Sequence, residues 1–438
     1  MKLNRRNFVK GTAGAAGVGY FVNPAKAVQK DSPNERLNIA AVGAAGRNAG
    51  NINGVATQNL IAIADADANL LDKGSANFPT ARKYRDYRIM LEKEEGRIDA
   101  VVVGTPDHSH APAAAMALRM KKHVYCEKPL THTVHEARVL SDLAKENSLV
   151  TQMGTQIHAG DNYRRVVELV ESGAIGDVRE VHVWAGAKYT DGKFTTGTEA
   201  PAHLDWDLWL GPASQRPYSE GVHPFEWRRF WDYGTGALGD FGCHYMDLAH
   251  WALQLRDPVK IVAQGPEVDP VTTPAWLIVD YDYPARGDRP PVHLTWYDSG
   301  KTPKLLETLD ASQLKDQNGG GMGLGGGQLF VGDKGSLLSN YGQRCLLPAE
   351  NFNDFKAPEP YIPNSIGHHA EWLNAIKNGG TTTCNFDYSG RLTEAVMLGT
   401  VAFRAGEAIE WDADNVRVVN SEKAQQFVHK EYRQGWTL

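Results

Sequence analysis

The chain has 438 residues, a formal charge of −6 and four cysteines (Cys126, Cys243, Cys345 and Cys384) without metal-ligand spacing. That charge balance, without a long basic run, argues against nucleic acid as the main ligand. The length suggests two domains, and no stretch after the first thirty residues is apolar for long enough to hold a stable membrane span once processed.

The N-terminal stretch "LNRRNFVKGTAGAAGVGYFVNPAKAVQ" reads as an address. Paired Arg5 and Arg6 precede a weakly apolar Gly/Ala run that ends in Ala25-Lys26-Ala27, an A-x-A type of cleavage site. The order Arg-Arg-x-Phe-x-Lys resembles a twin-arginine signal, the route that exports folded proteins. Residues 1–27 are therefore expected to be a signal peptide and the mature protein periplasmic or exported. An uncleaved membrane anchor is the competing reading. Folding on this route takes place in a reducing compartment, so packed or site-lining thiols are expected rather than a disulfide scaffold.

From Leu37 short apolar runs alternate with helical stretches: "LNIAAVG", "NLIAIAD", "DAVVVGTP", "HAPAAAMALRMKK", "HVYCEKP", "TVHEARVLSDLAKENS" and "LVTQMGTQ". This alternation predicts a doubly wound parallel sheet, a Rossmann dinucleotide-binding domain over 36–155. Gly43, Asp65, Thr105, Lys128 and Gln152 fall at the carboxyl ends of its strands, where such sheets bind ligands. Residues 156–438 differ in character. "NYRRVVELVESGAIGDV" predicts an amphipathic helix ending near Gly173. The β-rich segments that follow predict an α+β domain with a large, mainly antiparallel, open-faced sheet for substrate binding and oligomerisation. "GGGMGLGGG" at 319–327 reads as a linker or a mobile flap. Two helices come late, "HHAEWLNAIKNGG" and "SGRLTEAVMLGTVAFRAG".

"AAVGAAGRNAG" occupies the place of a Gly-rich phosphate turn, but only Gly43 matches the fingerprint cleanly. Ala45 and Asn48 stand where the second and third glycines would be, with Gly46 and Arg47 between them. Small residues still let the backbone approach a pyrophosphate, and the helix that follows offers amides to it. Asp65 lies 22 residues beyond Gly43, near the spacing of a carboxylate that binds an adenosine ribose diol. That favours NAD, although Arg47 leaves NADP open. A tight turn in a domain that binds no nucleotide is the alternative.

"HVYCEKPLTH" places Lys128 before a proline, which holds it out of helical geometry at the end of a strand. The lysine either meets a substrate or solvates a face. In "WRRFWDYGTGALGDFGCHYMDLAHWAL" a helix beginning near Asp240 would set Asp240 and His244 on one face, the carboxylate in the helix's positive potential and raising the imidazole's proton affinity. An N-cap with a packed histidine, or a metal set of His244, Asp247 and His250, are alternatives. Four of the eleven tryptophans (Trp206, Trp209, Trp227 and Trp231) fall in one block with Arg228, Asp232 and Tyr233. They suit the apolar faces and hydroxyls of a carbohydrate, or simply a core.

These motifs together ("TPDHSHA" at 105–111, "EKP" at 127–129, "GALGDFGCHYMD" at 236–247, a "GSL" strand near 335 and the "HHAEWLNAIKNG" helix) resemble the glucose–fructose oxidoreductase / inositol dehydrogenase (Gfo/Idh/MocA) family. The resemblance implies that Lys128, Asp240 and His244 are catalytic and line a substrate pocket beside nicotinamide, with no metal. It also implies a cofactor set of Gly43, Ala45, Gly46, Arg47, Asn48, Asp65, Thr105, Pro106, His108, Glu127, Lys128 and Gln152. Tyr163, Arg164, Trp227, Arg228, Trp231 and His244 become the expected substrate contacts, and a homodimer or homotetramer the expected assembly. Lys128 would stabilise a developing alkoxide while His244 takes a hydroxyl proton and Asp240 orients the imidazole. Because free NAD is scarce outside the cytoplasm, export implies a tightly retained cofactor. This suits a sugar, polyol or glycoside oxidoreductase, or a redox-neutral glycosidase working through a 3-keto intermediate. A non-catalytic sugar-binding protein on the same scaffold is the reading from another class.

Overall fold

The computed structural model describes residues 35–438. The twin-arginine stretch lies outside the described residues. Six strands, β1 (Asn38–Val42), β2 (Asn59–Ala64), β3 (Arg82–Tyr84), β4 (Ala100–Val103), β5 (His123–Cys126) and β6 (Thr151–Met153), form one sheet. Their order is β3-β2-β1-β4-β5-β6 and every pair is parallel. The β4 run AVVV is wholly buried, as a strand covered on both faces must be. The helices between strands are α1 (Asn48–Gly54), α2 (Ala68–Ser75), α3 (Tyr87–Glu94), α4 (His110–Arg119) and α5 (Val134–Glu146), the last opened by a Thr133/Glu136 capping box. Strand order reverses between β1 and β4, which leaves a crevice at their carboxyl ends. β3 and α3 escape the sequence pattern because β3 is a polar edge strand, "RKY", with no apolar run.

After α6 (Asp161–Glu171) comes the second sheet, built from β7 (Val178–Ala185), β8 (Lys260–Gln264), β9 (Ile278–Tyr283), β10 (Val292–Asp298), β11 (Gly326–Gly332), β12 (Ser336–Ser339), β13 (Arg344–Leu347), β14 (Ile409–Asp412) and β15 (Arg417–Val418). Their order is β13-β12-β11-β7-β10-β9-β8-β14-β15, antiparallel except between β7 and β10. The short α7 (Trp206–Leu210) and the long α8 (Gly236–Leu253) fall between β7 and β8. α8 packs on β7, β10 and β11. β9 shows why only one face is covered: Val279, Tyr281 and Tyr283 are buried, while Asp280 and Asp282 alternate to the far side and meet His293.

Three features depart from the sequence pattern. α8 begins at Gly236, a turn earlier than expected, so Asp240 is not in its first turn. The glycine run is part loop and part strand: Gly326 and Gly327 belong to β11, where the Tyr245 hydroxyl and the Ser339 carbonyl leave no room for a side chain. Of the late helices, α9 (His368–Asn378) turns back onto the first sheet, and α10 (Phe386–Ala405) bridges the two domains, packing on α5 and β6 and also on α8 and β8. Trp372 of α9 is fully buried beside Tyr125 of β5, and α10 packs against α5. Their apolar stripes are what cover that side of the parallel sheet. Among the described residues no helix is long and apolar enough to cross a membrane.

Candidate active site

A cleft of about 740 Å³ runs along the carboxyl ends of the first sheet and is closed on its other side by residues around α8. At one end is the turn after β1. Gly43 has φ +91°, and a Cβ there would come within 2.8 Å of the Gly104 carbonyl, so only glycine fits. Asn48 donates to the carbonyls of Val42 (3.1 Å) and Gly43 (2.6 Å). It occupies the third glycine position by locking the turn from behind, and lies outside the cleft. Asp65 receives the amides of Ala44 (2.8 Å) and Asp67 (2.9 Å) through its two oxygens, while burial pushes its carboxyl above the ordinary value. Gly43, Ala45, Gly46, Arg47 and Asp65 all line this end. Glu127, almost wholly buried, accepts from Arg47 Nε (3.2 Å), Asn51 (2.9 Å) and Gln156 (2.9 Å), which ties the turn to β5.

At the other end Lys128 Nζ donates to the Asp240 side chain (2.5 Å) and to the Asp240 carbonyl (2.6 Å). Burial alone would raise the Asp240 carboxyl. The Lys128 ammonium, the Arg228 guanidinium and the hydroxyl of Tyr189, which donates at 2.8 Å, instead bring it well below the ordinary range. The positive potential of a helix falls off within its first turn, so these side chains, and not α8, keep Asp240 ionised. His244 is pushed far down by burial and by the Lys128 ammonium, which outweigh the opposite pull of Asp240. The expected rise in proton affinity is thereby reversed: His244 is a neutral imidazole. Its buried Nδ1 has no hydrogen-bond partner among the described residues, and the same holds for Thr105 Oγ1 and Arg228 Nε. All three residues line the cleft, together with Pro106 and Trp227. Arg228 sits over Trp227 at 4.1 Å and Phe225 at 4.8 Å.

Other expected contacts lie elsewhere. His108 is held between the carbonyls of Trp209 (3.0 Å) and Tyr233 (3.3 Å) and, being buried, is lowered to about 3. Gln152 donates to the His368 carbonyl, inside the packing of α9. Tyr163 donates to the His244 carbonyl (3.1 Å) and receives Gln328 (2.9 Å), so it props α8 from beneath. Arg164 is buried against Glu371 (2.6 Å) and the Pro363 carbonyl. Trp231 is core, donating to Asp269 O (3.1 Å) beside Phe403. Trp206 stacks on Trp209 at 4.7 Å, and of the two only Trp209 reaches the cleft. Asp232 pairs with Arg216 (2.8 Å), and Tyr233 packs in the small aromatic core around Trp209. The residues considered as a metal set fan apart: Asp247 meets His158 (3.0 Å) and Tyr388 (2.7 Å), and His250 meets Tyr283 (3.0 Å).

Several lining residues carry no sequence signal strong enough to single them out: Tyr189, Phe225, Tyr245, Tyr341 and Trp436. Asp107 was within reach, since it belongs to "TPDHSHA". It is buried, accepts from Thr235 (2.8 Å), and burial pushes it up to about 6.

Residues 36–155 match the oxidoreductase family's NAD-binding Rossmann fold, and residues 160–288 match the same family's C-terminal alpha/beta domain. The chain belongs to the Gfo/Idh/MocA family. Levoglucosan dehydrogenase of Pseudarthrobacter phenanthrenivorans is 29% identical over 196 residues, 43% of this chain and 41% of that one. A glycosyl hydrolase family 109 protein of Shewanella pealeana is 27% identical over 210 residues, 41% and 45% of the two chains. The chain thus spans less than half the length of these relatives. The structure of GenD2 from gentamicin A biosynthesis, in complex with NAD, matches with TM-score 0.59 over 89% of this chain and 100% of that one, at 18% identity.

As a Gfo/Idh/MocA protein the chain has NAD as its cofactor, and the cleft fits that group. The Gly43 turn admits no side chain, Asp65 stands where a ribose would reach it, and Thr105 Oγ1 is a buried polar atom without a partner at the lip of β4.

Proposed function

We propose that the protein is an NAD-dependent oxidoreductase acting on a secondary hydroxyl of a sugar, polyol or glycoside. The observation that carries this reading is the pairing of Lys128 with Asp240 beside a neutral His244, in the same cleft as Gly43 and Asp65. Bound NAD would supply the hydride acceptor. Lys128 has three N–H donors and spends two on Asp240, which leaves one for a substrate oxygen whose growing negative charge the ammonium offsets. His244, neutral and with Nδ1 unengaged, accepts the hydroxyl proton. Asp240 positions the ammonium, not the imidazole. Trp227, Phe225 and Tyr245 offer aromatic surface to the apolar face of a sugar ring.

The likeness to a levoglucosan dehydrogenase supports a carbohydrate substrate. The likeness to a glycosyl hydrolase family 109 protein favours a second reading, in which a glycoside is oxidised, its linkage cleaved and the product reduced on the same retained cofactor. Retention follows from the twin-arginine motif, since a protein exported folded would carry its dinucleotide along. Copies of the chain would pair through the open face of the second sheet, as a homodimer or homotetramer.

The test joins two measurements. Dinucleotide extracted from purified protein is identified by mass spectrometry, and the protein is incubated with a panel of sugars and glycosides with and without added NAD. Lys128→Met should abolish hydride transfer, by about 10³-fold or more, with NAD binding nearly intact. Turnover at the wild-type rate in that variant would end this assignment.

A further inference from the structure

The stretch from Lys430 to Trp436 belongs to neither sheet, yet it joins one domain to the other and brings Trp436 to the cleft. Its first anchor is in the Rossmann domain. Lys430 Nζ lies 3.2 Å from Glu136, the capping-box residue of α5, and 3.0 Å from His132 Nδ1, while Tyr432 donates to Glu136 at 2.7 Å. Its second anchor is the segment around α7. Arg433 donates to the carbonyls of Gly211 (2.5 Å) and Asp207, and to the side chains of Asp207 (2.6 Å) and Gln215 (2.9 Å). The chain then returns to the Rossmann domain, where Arg88 donates to the Gly435 carbonyl at 2.9 Å. Arg88 also stands over the Trp436 ring at 4.0 Å, and Tyr87 lies beside it at 6.0 Å between ring centroids.

Trp436 lines the cleft with Asp65, Leu70, Lys73, Arg85 and Tyr87. These residues stand at the β2 and β3 side of the sheet, opposite to the Lys128 and His244 end. A dinucleotide laid across β1 puts its adenosine half there. An indole held at that place has the shape and chemistry of a wall for an adenine ring.

We propose that residues 430–436 form a retaining strap: Trp436 walls in the adenosine half of the bound dinucleotide, Arg433 holds the strap shut, and the dinucleotide leaves only when the strap lifts. The inference rests on the reading that this cleft holds NAD, and deepens it by naming what sets the residence time. Lifting the strap breaks the Arg433 fork and the Arg88 contacts together, a local opening that must precede release. Residence time is a dissociation rate, so the strap acts on release more than on capture. Arg433 does not line the cleft and acts through Trp436; it is a positioning residue.

The experiment loads the purified full chain with NADH, removes free ligand, and follows loss of bound NADH fluorescence during a chase with excess NAD. Trp436→Ala and Arg433→Ala should each speed release by about tenfold or more, whereas Trp436→Phe, which keeps an aromatic wall, should stay within about threefold of wild type. Competition should show the loss on ADP-ribose, which carries the adenosine half, and not on nicotinamide mononucleotide. Release at the wild-type rate from either alanine variant, with wild-type circular dichroism and melting, overturns the strap. Should an alanine variant fail to fold, Arg433→Gln, which loses the guanidinium fork, is read in the same chase, and wild-type release there overturns it equally. A wild-type chain that yields no dinucleotide on extraction and also binds no added NADH instead sinks the parent reading, a result distinct from a chain that holds it and whose variants release it alike.

Discussion

The two ends of the cleft are built by different means. At the β1–β2 end, backbone does the holding: amides of Ala44 and Asp67 fix Asp65, Asn48 fixes the turn through two carbonyls, and a positive-φ glycine sits against Gly104. At the α8 end, side chains hold one another: the charged Lys128, Asp240 and Arg228 converge with the hydroxyl of Tyr189. The first arrangement suits a group bound the same way throughout a reaction. The second suits a place where charge changes, because buried charges respond strongly to a proton moving nearby. Each end holds one raised and one lowered carboxyl: Asp65 and Asp107 are raised by burial, while Asp67 and Asp240 are lowered by their partners. Asp67 lies below its ordinary value: burial would raise it, but His223, the α2 amides and His203 outweigh that. Asp107, near Asp240, is raised.

The contrast can be broken from either side. The largest effect on stability is expected at the turn. A Cβ at Gly104 would overlap the Asn48 carboxamide, which its two carbonyls prevent from moving aside. Gly104→Ala should destabilise by about 2–3 kcal/mol in denaturant titration and weaken dinucleotide binding. Asp107→Asn should act the other way. A carboxyl raised to about 6 in the fold costs stability once the pH passes from below its ordinary value to above 6. The variant should therefore be more stable than wild type at pH 7.5, on the order of 2 kcal/mol, and gain nothing at pH 3.5. Destabilisation at pH 7.5 would show that Thr235 and His110 compensate the charge in full. Asp67→Asn gives the smallest change and the opposite sign. A depressed carboxyl stabilises above its ordinary value and loses that contribution as pH falls through its folded value. The variant should lose about 1 kcal/mol at pH 7, with the melting curves of the two proteins converging in acid.

Much of the Rossmann half was legible because its information is local. Runs such as "AVVVG" are buried strands wherever they occur between helices, and each ends in a loop residue that must face the crevice; Gly43, Asp65, Thr105 and Lys128 were readable in this way. Gln152 breaks the rule because α9 packs over β6 and takes its side chain inward. The aromatic block was legible as aromatic but not as a site: Trp231 and Trp227 have the same composition around them, and only packing sends one to the core and the other to the cleft.

By itself the sequence determined the parallel sheet, the glycine turn and the acid after β2; the coming together of an EKP lysine with a helix bearing Asp240 and His244 was implied by the family resemblance. Tertiary structure decided the rest. It decided that Asp240 grips the ammonium and not the imidazole, that His244 is neutral, and that α9 and the 430–436 segment turn back onto the first domain while α10 bridges the two. The reason is physical. Strand burial and turn chemistry are set by neighbours a few residues away, whereas the charge state of a buried group and the resting place of an amphipathic segment depend on what distant parts of the chain bring beside it.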